Sequence, residues 1–198
     1  AYLMTCGAPS VSRQVALALA GALNCLRSPG EGCAGADEID PCDSCNKIDG
    51  GMHPDVITLE REGAARLVTI ETVRHQVVAR VGTAPNEARM RVFIFDEATA
   101  LAGPAANALL KTLEEPPARS MFVLSTVAPE QLLPTIRSRC QRLAFGPVSS
   151  AAVAADGDVD AALRLTDLAR AVARFDGQRA NALEVAAAVA AGKGETPG

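Results

Sequence analysis

The chain has 198 residues, a formal net charge of −4 and only 3% aromatic residues, so Ala, Val and Leu must supply most of its core. This length suits one domain of ordinary size plus a small second one, and the charge excludes a globally basic nucleic-acid-binding protein. We find no apolar run long enough to span a bilayer and no signal-peptide pattern, so we predict a cytoplasmic protein with no membrane partner. Because the sequence opens on apolar strand residues without an initiator Met, we expect residues to be missing ahead of it.

Strands and helices alternate along the first part of the chain, as judged from apolar periodicity, turn residues and prolines. The predicted strands are 2–6, 55–59, 92–95, 121–126 and 142–145, and the predicted helices are 15–23, 70–81, 104–113 and 129–136. This alternation predicts an α/β fold with a mainly parallel sheet sandwiched by helices. After Pro147 the composition changes to Ala-rich helix, so we predict a core domain over 1–147 and a small α-helical domain over 148–198.

The strand at 92–95 is wholly apolar and ends in two carboxylates, Asp96 and Glu97. A run without polar alternation is typical of a strand covered on both faces, and it delivers the next residues to the carboxyl edge of a parallel sheet. In phosphate-binding proteins an acidic residue at that edge serves the metal that accompanies a nucleotide. The alternative is a buried strand followed by a solvated turn.

The segment after the first strand is turn-rich and partly matches a phosphate loop, Gly-x-x-x-x-Gly-Lys-Ser/Thr. Gly7 is present, but Ser12, Arg13 and Gln14 occupy the last three places. Ser12 adds a Cβ where the backbone must approach phosphate, Arg13 replaces a compact ammonium with a planar fork, and Gln14 lacks the hydroxyl that ligates magnesium. An ordinary strand-to-helix turn remains the alternative. Together with Asp96, the pattern indicates a degenerate nucleotide site, for which we expect no useful ATP hydrolysis and at most residual ATP and Mg²⁺ binding.

Four of the six cysteines fall in one segment, 25–54, which is rich in Gly, Asp and Pro and is predicted to be an inserted loop. They are Cys25, Cys33, Cys42 and Cys45, and the last two have the spacing that lets two thiolates face one ion. Four thiolates would form a closed structural site, with zinc as the favoured ion and no open position for a substrate. A thioredoxin-like redox pair and a set of unused thiols are the alternatives.

Two further segments resemble signature segments of the bacterial clamp loader, the pentameric AAA+ assembly of DNA polymerase III that opens the sliding clamp. They are NALLKTLEEPP at 107–117 and IRSRC at 136–140. With the acidic strand end and the cysteine-rich loop, the resemblance covers about 1–147. It implies an AAA+ core of the P-loop NTPase type followed by part of a helical lid, with the family's C-terminal collar missing from this chain.

Within that family, tau/gamma ATPase subunits carry a complete phosphate loop and a zinc loop, whereas delta-prime subunits keep the zinc loop but have a degraded phosphate loop. This sequence is similar to the delta-prime type. The resemblance therefore implies a non-hydrolysing stator in the DNA polymerase III holoenzyme, a DNA-directed DNA polymerase, with no ATPase activity of its own. The implied partners are the tau/gamma and delta subunits in a hetero-pentamer, the sliding clamp, and primer-template DNA contacted through the assembly.

The resemblance also assigns roles to single residues by position. Arg139 would be an arginine finger that acts in trans on the ATP site of a neighbouring subunit, and Ser138 and Cys140 would position it. Thr126 falls at the place of the first sensor residue, and Asp160 replaces a second sensor arginine, where an acid would repel phosphates. The alternatives are a solvated arginine at a helix end and an ordinary strand-end hydroxyl.

The sequence departs from the delta-prime pattern in two places. Asp96 and Glu97 are better preserved than a dead site requires, and the gap from Cys33 to Cys42 is longer than a usual pair of knuckles. The first departure is compatible with residual nucleotide binding, and the second concerns the geometry of the loop more than its ligands. Two other functions stay open: an active ATPase of the tau/gamma type, and a zinc-stabilised protein-binding module outside replication.

Overall fold

The computed structural model describes residues 1–5, 9–27, 41–63, 65–101 and 103–144. Its centre is a five-stranded sheet in the order β2-β3-β4-β1-β5, in which every pairing is parallel. The strands are β1 Tyr2–Thr5, β2 Val56–Leu59, β3 Arg91–Phe95, β4 Ser120–Thr126 and β5 Gln141–Ala144. The predicted α/β fold with a parallel sheet is confirmed.

Six α-helical segments connect and cover these strands. They are α1 Pro9–Asn24, α2 Asp43–Asp49, α3 Ile70–Val73, α4 Ala79–Val81, α5 Gly103–Glu114 and α6 Pro134–Arg137. A π-helical turn, Arg74–Val78, joins α3 to α4, and short 3₁₀ turns occupy Ala98–Ala100 and Pro129–Gln131. In the described part of the chain, none of the helices has the length and apolar character needed to cross a membrane. The predicted lid, 148–198, lies outside the described residues and its boundary stays a prediction.

The central strand β3 is buried on both faces, which explains its unbroken apolar run. Phe93 and Phe95 point into a core cluster on the side of α3 and α5, where Phe93 stacks on Phe122 with ring centroids 5.0 Å apart. Val92 and Ile94 point into a second cluster on the side of α1. Because successive side chains of a strand alternate between faces, both sets must be apolar when helices cover both faces.

Two parts of the chain differ from the prediction. α1 begins at Pro9, so residues 9–14 are helical and do not form a loop. Proline suits the first helical position because its φ is preset and its missing N–H is not needed there. The cysteine-rich segment also contains α2, a seven-residue helix that is too short to show an apolar period.

A buried ion pair ties β2 to β3 at the edge of the sheet where the strands begin. The Asp55 carboxylate accepts from Arg91 Nε and Nη2 at 3.1 and 2.9 Å. It also accepts from the backbone N–H groups of Asn86, Glu87 and Ala88 at 2.9 to 3.1 Å. Burial works to raise the pKa of Asp55, but these hydrogen bonds outweigh it and lower the pKa below its usual range.

Candidate functional site

The carboxyl edge of the sheet brings several of the predicted site residues together. Leu59 of β2 pairs with Phe95 of β3, so the next residues, Glu60 and Asp96, leave neighbouring strand ends at the same edge. At that same edge Thr126, the last residue of β4, pairs with the last residue of β1. This edge is where open parallel sheets bind ligands.

Arg13 reaches this edge from the second turn of α1 and lies between two carboxylates. Its Nη1 forms an ion pair and donates a hydrogen bond to Asp96 Oδ2. The same guanidinium contacts Glu60 Oε1, at 3.2 Å from Nη1 and 3.3 Å from Nη2. Arg13 and Asp96 were predicted to share a nucleotide site, and the fold does bring them together, but it pairs them with each other. Glu60 was missed, although it follows its strand just as Asp96 follows β3.

The other predicted phosphate-loop residues do not all face this pair. Ser12 is buried, with 2% of its surface exposed, whereas Gln14 is exposed on α1. Gly7 lies outside the described residues. The arrangement therefore has a cation and an acid at the places predicted for a nucleotide site, but Ser12 and Gln14 do not reproduce the glycine and hydroxyl that hold phosphate and Mg²⁺ in a phosphate loop.

The environment of Asp96 is partly closed to water. Burial raises the pKa of Asp96 above its usual value, and the neighbouring Arg13 charge works in the opposite direction. Its second oxygen, Oδ1, is buried and has no hydrogen-bond partner among the described residues. The charge of this carboxylate is thus balanced from within the chain, by Arg13.

Glu97 and Thr126 both support local turns. Glu97 Oε1 accepts from the Thr99 hydroxyl at 2.8 Å and from the Thr99 backbone N–H at 3.3 Å, which caps the 3₁₀ turn that follows. Thr126 Oγ1 accepts from the Ala128 backbone N–H at 3.1 Å. These contacts account for both side chains structurally, and the nucleotide roles expected for them stay predictions.

Arg139 lies at the opposite edge of the sheet from Asp96. It follows α6 and comes two residues before the start of β5, whereas Asp96 comes directly after the end of β3. All strands are parallel, so starts and ends lie at opposite edges, about 13 Å apart for four residues. Arg139 therefore cannot serve the carboxyl edge of its own sheet without a large rearrangement.

The guanidinium of Arg139 is held by two different elements. Nη1 donates to the Thr135 carbonyl of α6 at 2.9 Å and lies 3.4 Å from Ser138 Oγ. Nη2 forms an ion pair with Glu114, the last residue of α5. Ser138 thus contacts Arg139, and Cys140, the next residue in the chain, is buried; the positioning role expected of both stays a prediction. Glu114 was not predicted as a partner, although it belongs to the LEEPP segment.

Three of the four predicted zinc ligands cluster. The Sγ atoms of Cys25, Cys42 and Cys45 all lie within 4.8 Å of one another, and the Cys25 and Cys42 sulfurs are 4.0 Å apart. Two thiolates on one tetrahedral zinc, with Zn–S bonds near 2.3 Å, lie about 3.8 Å apart. The backbone N–H of Leu26 also donates to Cys42 Sγ at 3.5 Å. The arrangement fits a metal ion, and Cys33, the fourth predicted ligand, lies outside the described residues.

The cysteine cluster is fastened to the sheet through α2. Lys47 on α2 contacts both carboxylate oxygens of Glu87, at 2.7 and 2.9 Å, and the Glu87 backbone binds Asp55. His53 is buried near this contact, with Nε2 3.7 Å from Glu87 Oε1. A metal bound by the cysteines would therefore connect the cysteine-rich segment, through Lys47 and Glu87, to the buried Asp55–Arg91 ion pair.

We expect the purified chain to carry about one zinc ion, because three thiols already converge and a fourth is available in the same segment. Cys42→Ser removes one ligand and should lower the bound zinc well below this level, as measured by elemental analysis. Cys140→Ser is the matched control, since Cys140 is buried outside the cluster. Wild-type protein without zinc, or equal zinc in both variants, would contradict the assignment.

Comparison with known proteins points to one family. The family model described as "DNA polymerase III, delta subunit" matches residues 1–149. The chain is 34% identical over 153 residues to the DNA polymerase III subunit tau of Bacillus subtilis (strain 168), covering 77% of this chain and 26% of that protein. It is 41% identical over 100 residues to the DNA polymerase III subunit delta' of Escherichia coli (strain K12), covering 50% of this chain and 30% of that protein.

A solved structure supports the fold. A DNA polymerase III, gamma subunit-related protein from Thermotoga maritima MSB8 superposes with a TM-score of 0.56 at 24% identity, covering 96% of this chain and 53% of that one. The chain thus spans 26% and 30% of the length of the two curated relatives. Because the family model extends over residues 1–149 of 198, the chain belongs to the clamp-loader family of DNA polymerase III subunits.

Proposed function

We propose that this chain is a non-hydrolysing subunit of the DNA polymerase III clamp loader, similar in role to delta-prime. It would help to load the sliding clamp on primed DNA and would supply Arg139 to the ATP site of a neighbouring subunit. Its partners would be tau/gamma and delta subunits in a hetero-pentamer, with the clamp and primer-template DNA engaged through the assembly. Zinc at the cysteine cluster would be structural, because a site closed by four thiolates has no open position for a substrate.

The observation that carries the first half of this proposal is the pairing of Arg13 with Asp96. In a working site, Asp96 would face Mg²⁺ and a lysine would face phosphate. Here the residue at the lysine place supplies the positive charge to Asp96 and also contacts Glu60. For ATP and Mg²⁺ to enter, this pair must separate, and nothing at Ser12 or Gln14 replaces the lost loop contacts. Glu97, engaged with Thr99, adds to this argument because its carboxylate already caps a turn.

The position of Arg139 supports the second half. It is at the strand-start edge, remote from the carboxyl edge of its own sheet, so a phosphate that it contacts must belong to another molecule. Its side chain is 29% exposed and is held by Glu114 and Thr135. A positioned, partly exposed arginine suits a finger that enters a neighbouring site and stabilises charge on a transferring phosphoryl group.

The decisive experiment for the nucleotide edge is a calorimetric titration of the purified chain with ATP and Mg²⁺. We expect no saturable binding stronger than a Kd of about 1 mM, because Arg13 neutralises Asp96. A titration of ATP without Mg²⁺ is the control for charge-driven binding to Arg13 alone. Micromolar, Mg²⁺-dependent binding would overturn the stator proposal.

A second candidate, an active tau/gamma-type ATPase, is favoured by one observation. Over 77% of the present chain, the sequence is 34% identical to the Bacillus subtilis tau subunit. This candidate predicts the opposite result in the same titration, and measurable ATP hydrolysis by the chain alone. The Arg13–Asp96 pair argues against it, since the acid that would hold Mg²⁺ is already paired.

A further inference from the structure

The ion pair between Arg139 and Glu114 joins two backbone segments that are each anchored in the buried core. Leu113, beside Glu114, and Ile136 and Cys140, on either side of Arg139, all belong to the same buried cluster. Both partners are therefore anchored on backbone that the core holds in place, although their side chains remain 29% and 51% exposed. The pair is thus a contact between two fixed elements, the end of α5 and the turn from α6 into β5.

This geometry constrains the guanidinium at both terminal nitrogens. The carbonyl of Thr135 binds Nη1 from α6, and Glu114 binds Nη2 from α5. Two contacts from different directions fix the rotamer and the plane of a side chain that otherwise loses rotamer entropy when it is ordered. Of the five N–H donors of arginine, three contact Thr135, Ser138 and Glu114, and Nε is buried, so one N–H on Nη2 is left for a phosphate. Ordering the side chain before the complex forms lowers the entropy cost of using it there.

We propose that Glu114 is a positioning residue for Arg139, which it holds at the strand-start edge in the orientation from which the guanidinium reaches phosphates bound by a neighbouring subunit. This inference rests on the proposed arginine-finger function. It assigns a task to the first of the two glutamates in the LEEPP segment. The second, Glu115, is exposed and forms no side-chain hydrogen bond or ion pair within the described ranges.

The test is steady-state ATP hydrolysis by the assembled clamp loader with primed DNA and clamp, using Glu114→Gln, Arg139→Ala and the double variant. Glutamine keeps the shape and one acceptor but removes the charge. We expect Glu114→Gln to slow hydrolysis at the neighbouring site about two- to fivefold, the range that one partly exposed charge pair can account for, so that the total steady-state rate falls by less than this factor, with the KM for ATP unchanged. Glu115→Gln is the matched control and should behave as wild type. Because Glu114 acts through Arg139, it should have no further effect when Arg139 is already Ala.

The outcomes separate this inference from the function on which it rests. If Arg139→Ala lowers turnover but Glu114→Gln equals Glu115→Gln, the positioning role is wrong and the finger stands. If Glu114→Gln lowers turnover equally in the Arg139→Ala background, Glu114 is only structural. A rise in kcat would mean that Glu114 competes with phosphate, which also overturns the inference. An unchanged rate with Arg139→Ala removes both proposals.

Discussion

Replacing Arg139 by Ala is expected to slow ATP hydrolysis at the neighbouring site of the assembled clamp loader by a factor on the order of 10³. The physical reason is that a guanidinium placed in a desolvated site stabilises charge developing on the γ-phosphate, which water does not replace. Any other ATPase sites in the assembly keep their own residues, so the total rate falls less than the rate at this one site. The measurement is DNA-stimulated ATPase of the purified assembly, with single-turnover hydrolysis to isolate the slowest site.

Arg137→Ala is the matched control, because Arg137 lies two residues before Arg139, at the end of α6, and its side chain forms no hydrogen bond or ion pair within the described part of the chain. Assembly should survive in both variants, as checked by size-exclusion chromatography, since the Arg139–Glu114 pair is partly exposed and contributes little to stability. Unchanged ATPase with intact assembly would remove Arg139 from the mechanism. Loss of assembly with Arg139→Ala alone would instead assign this arginine to the subunit interface.

Asp55→Ala is expected to destabilise the chain by about 3–5 kcal/mol, the largest stability effect that we predict. The change leaves the Arg91 guanidinium buried without its counter-ion, and it also removes the acceptor for three backbone N–H groups. Arg91 retains only carbonyl and hydroxyl partners, at Arg80 in α4 and at Thr83 and Ala84 in the segment that follows it. Urea unfolding followed by circular dichroism measures the change in free energy of unfolding.

The control for this prediction is Glu115→Ala, an exposed position where we expect a change within about 0.5 kcal/mol. The pH dependence gives a second check. The folded pKa of Asp55 is lowered, so its stabilisation is fully present above the unfolded pKa of about 3.9 and is lost as the pH falls through the folded pKa. The difference between wild type and Asp55→Ala should therefore be constant near neutral pH and shrink in acid. A difference that does not change with pH would show that the charge of Asp55 is not what stabilises the fold.

The sheet was predictable because its signal is local. The run from Val92 to Phe95 has no polar residue, which is typical of a strand covered on both faces, and its short length favours a strand over a buried helix. The helix over 70–81 was predictable for the same reason, although its π-helical turn, Arg74–Val78, was not. The start of α1 was missed because Pro9 and the small polar residues after it are as common in turns as in first helical turns.

Among the site residues too, those marked by a local sequence signal were predictable, and those brought together only by the fold were not. The spacing of Cys42 and Cys45 marks a metal knuckle within four residues, so the sequence alone indicates that pair. The approach of Cys25 to within 4.0 Å of Cys42 depends on how α1 ends against α2, which no spacing rule states. Likewise Asp96 was recognisable from the strand that precedes it, but Glu60 became a partner only when β2 paired with β3.

By itself, the sequence determined the α/β class, the candidate zinc ligands and the departure of Ser12, Arg13 and Gln14 from the phosphate-loop pattern, because each depends on residues close together in the chain. Only the tertiary structure decided what these residues contact. It paired Arg13 with Asp96 and Glu60, and it placed Arg139 at the opposite edge of the sheet against Glu114. The physical reason is that the strength of an ion pair depends on the distance between the two charges and on their burial. The order and register of strands that are far apart in the sequence set both the distance and the burial.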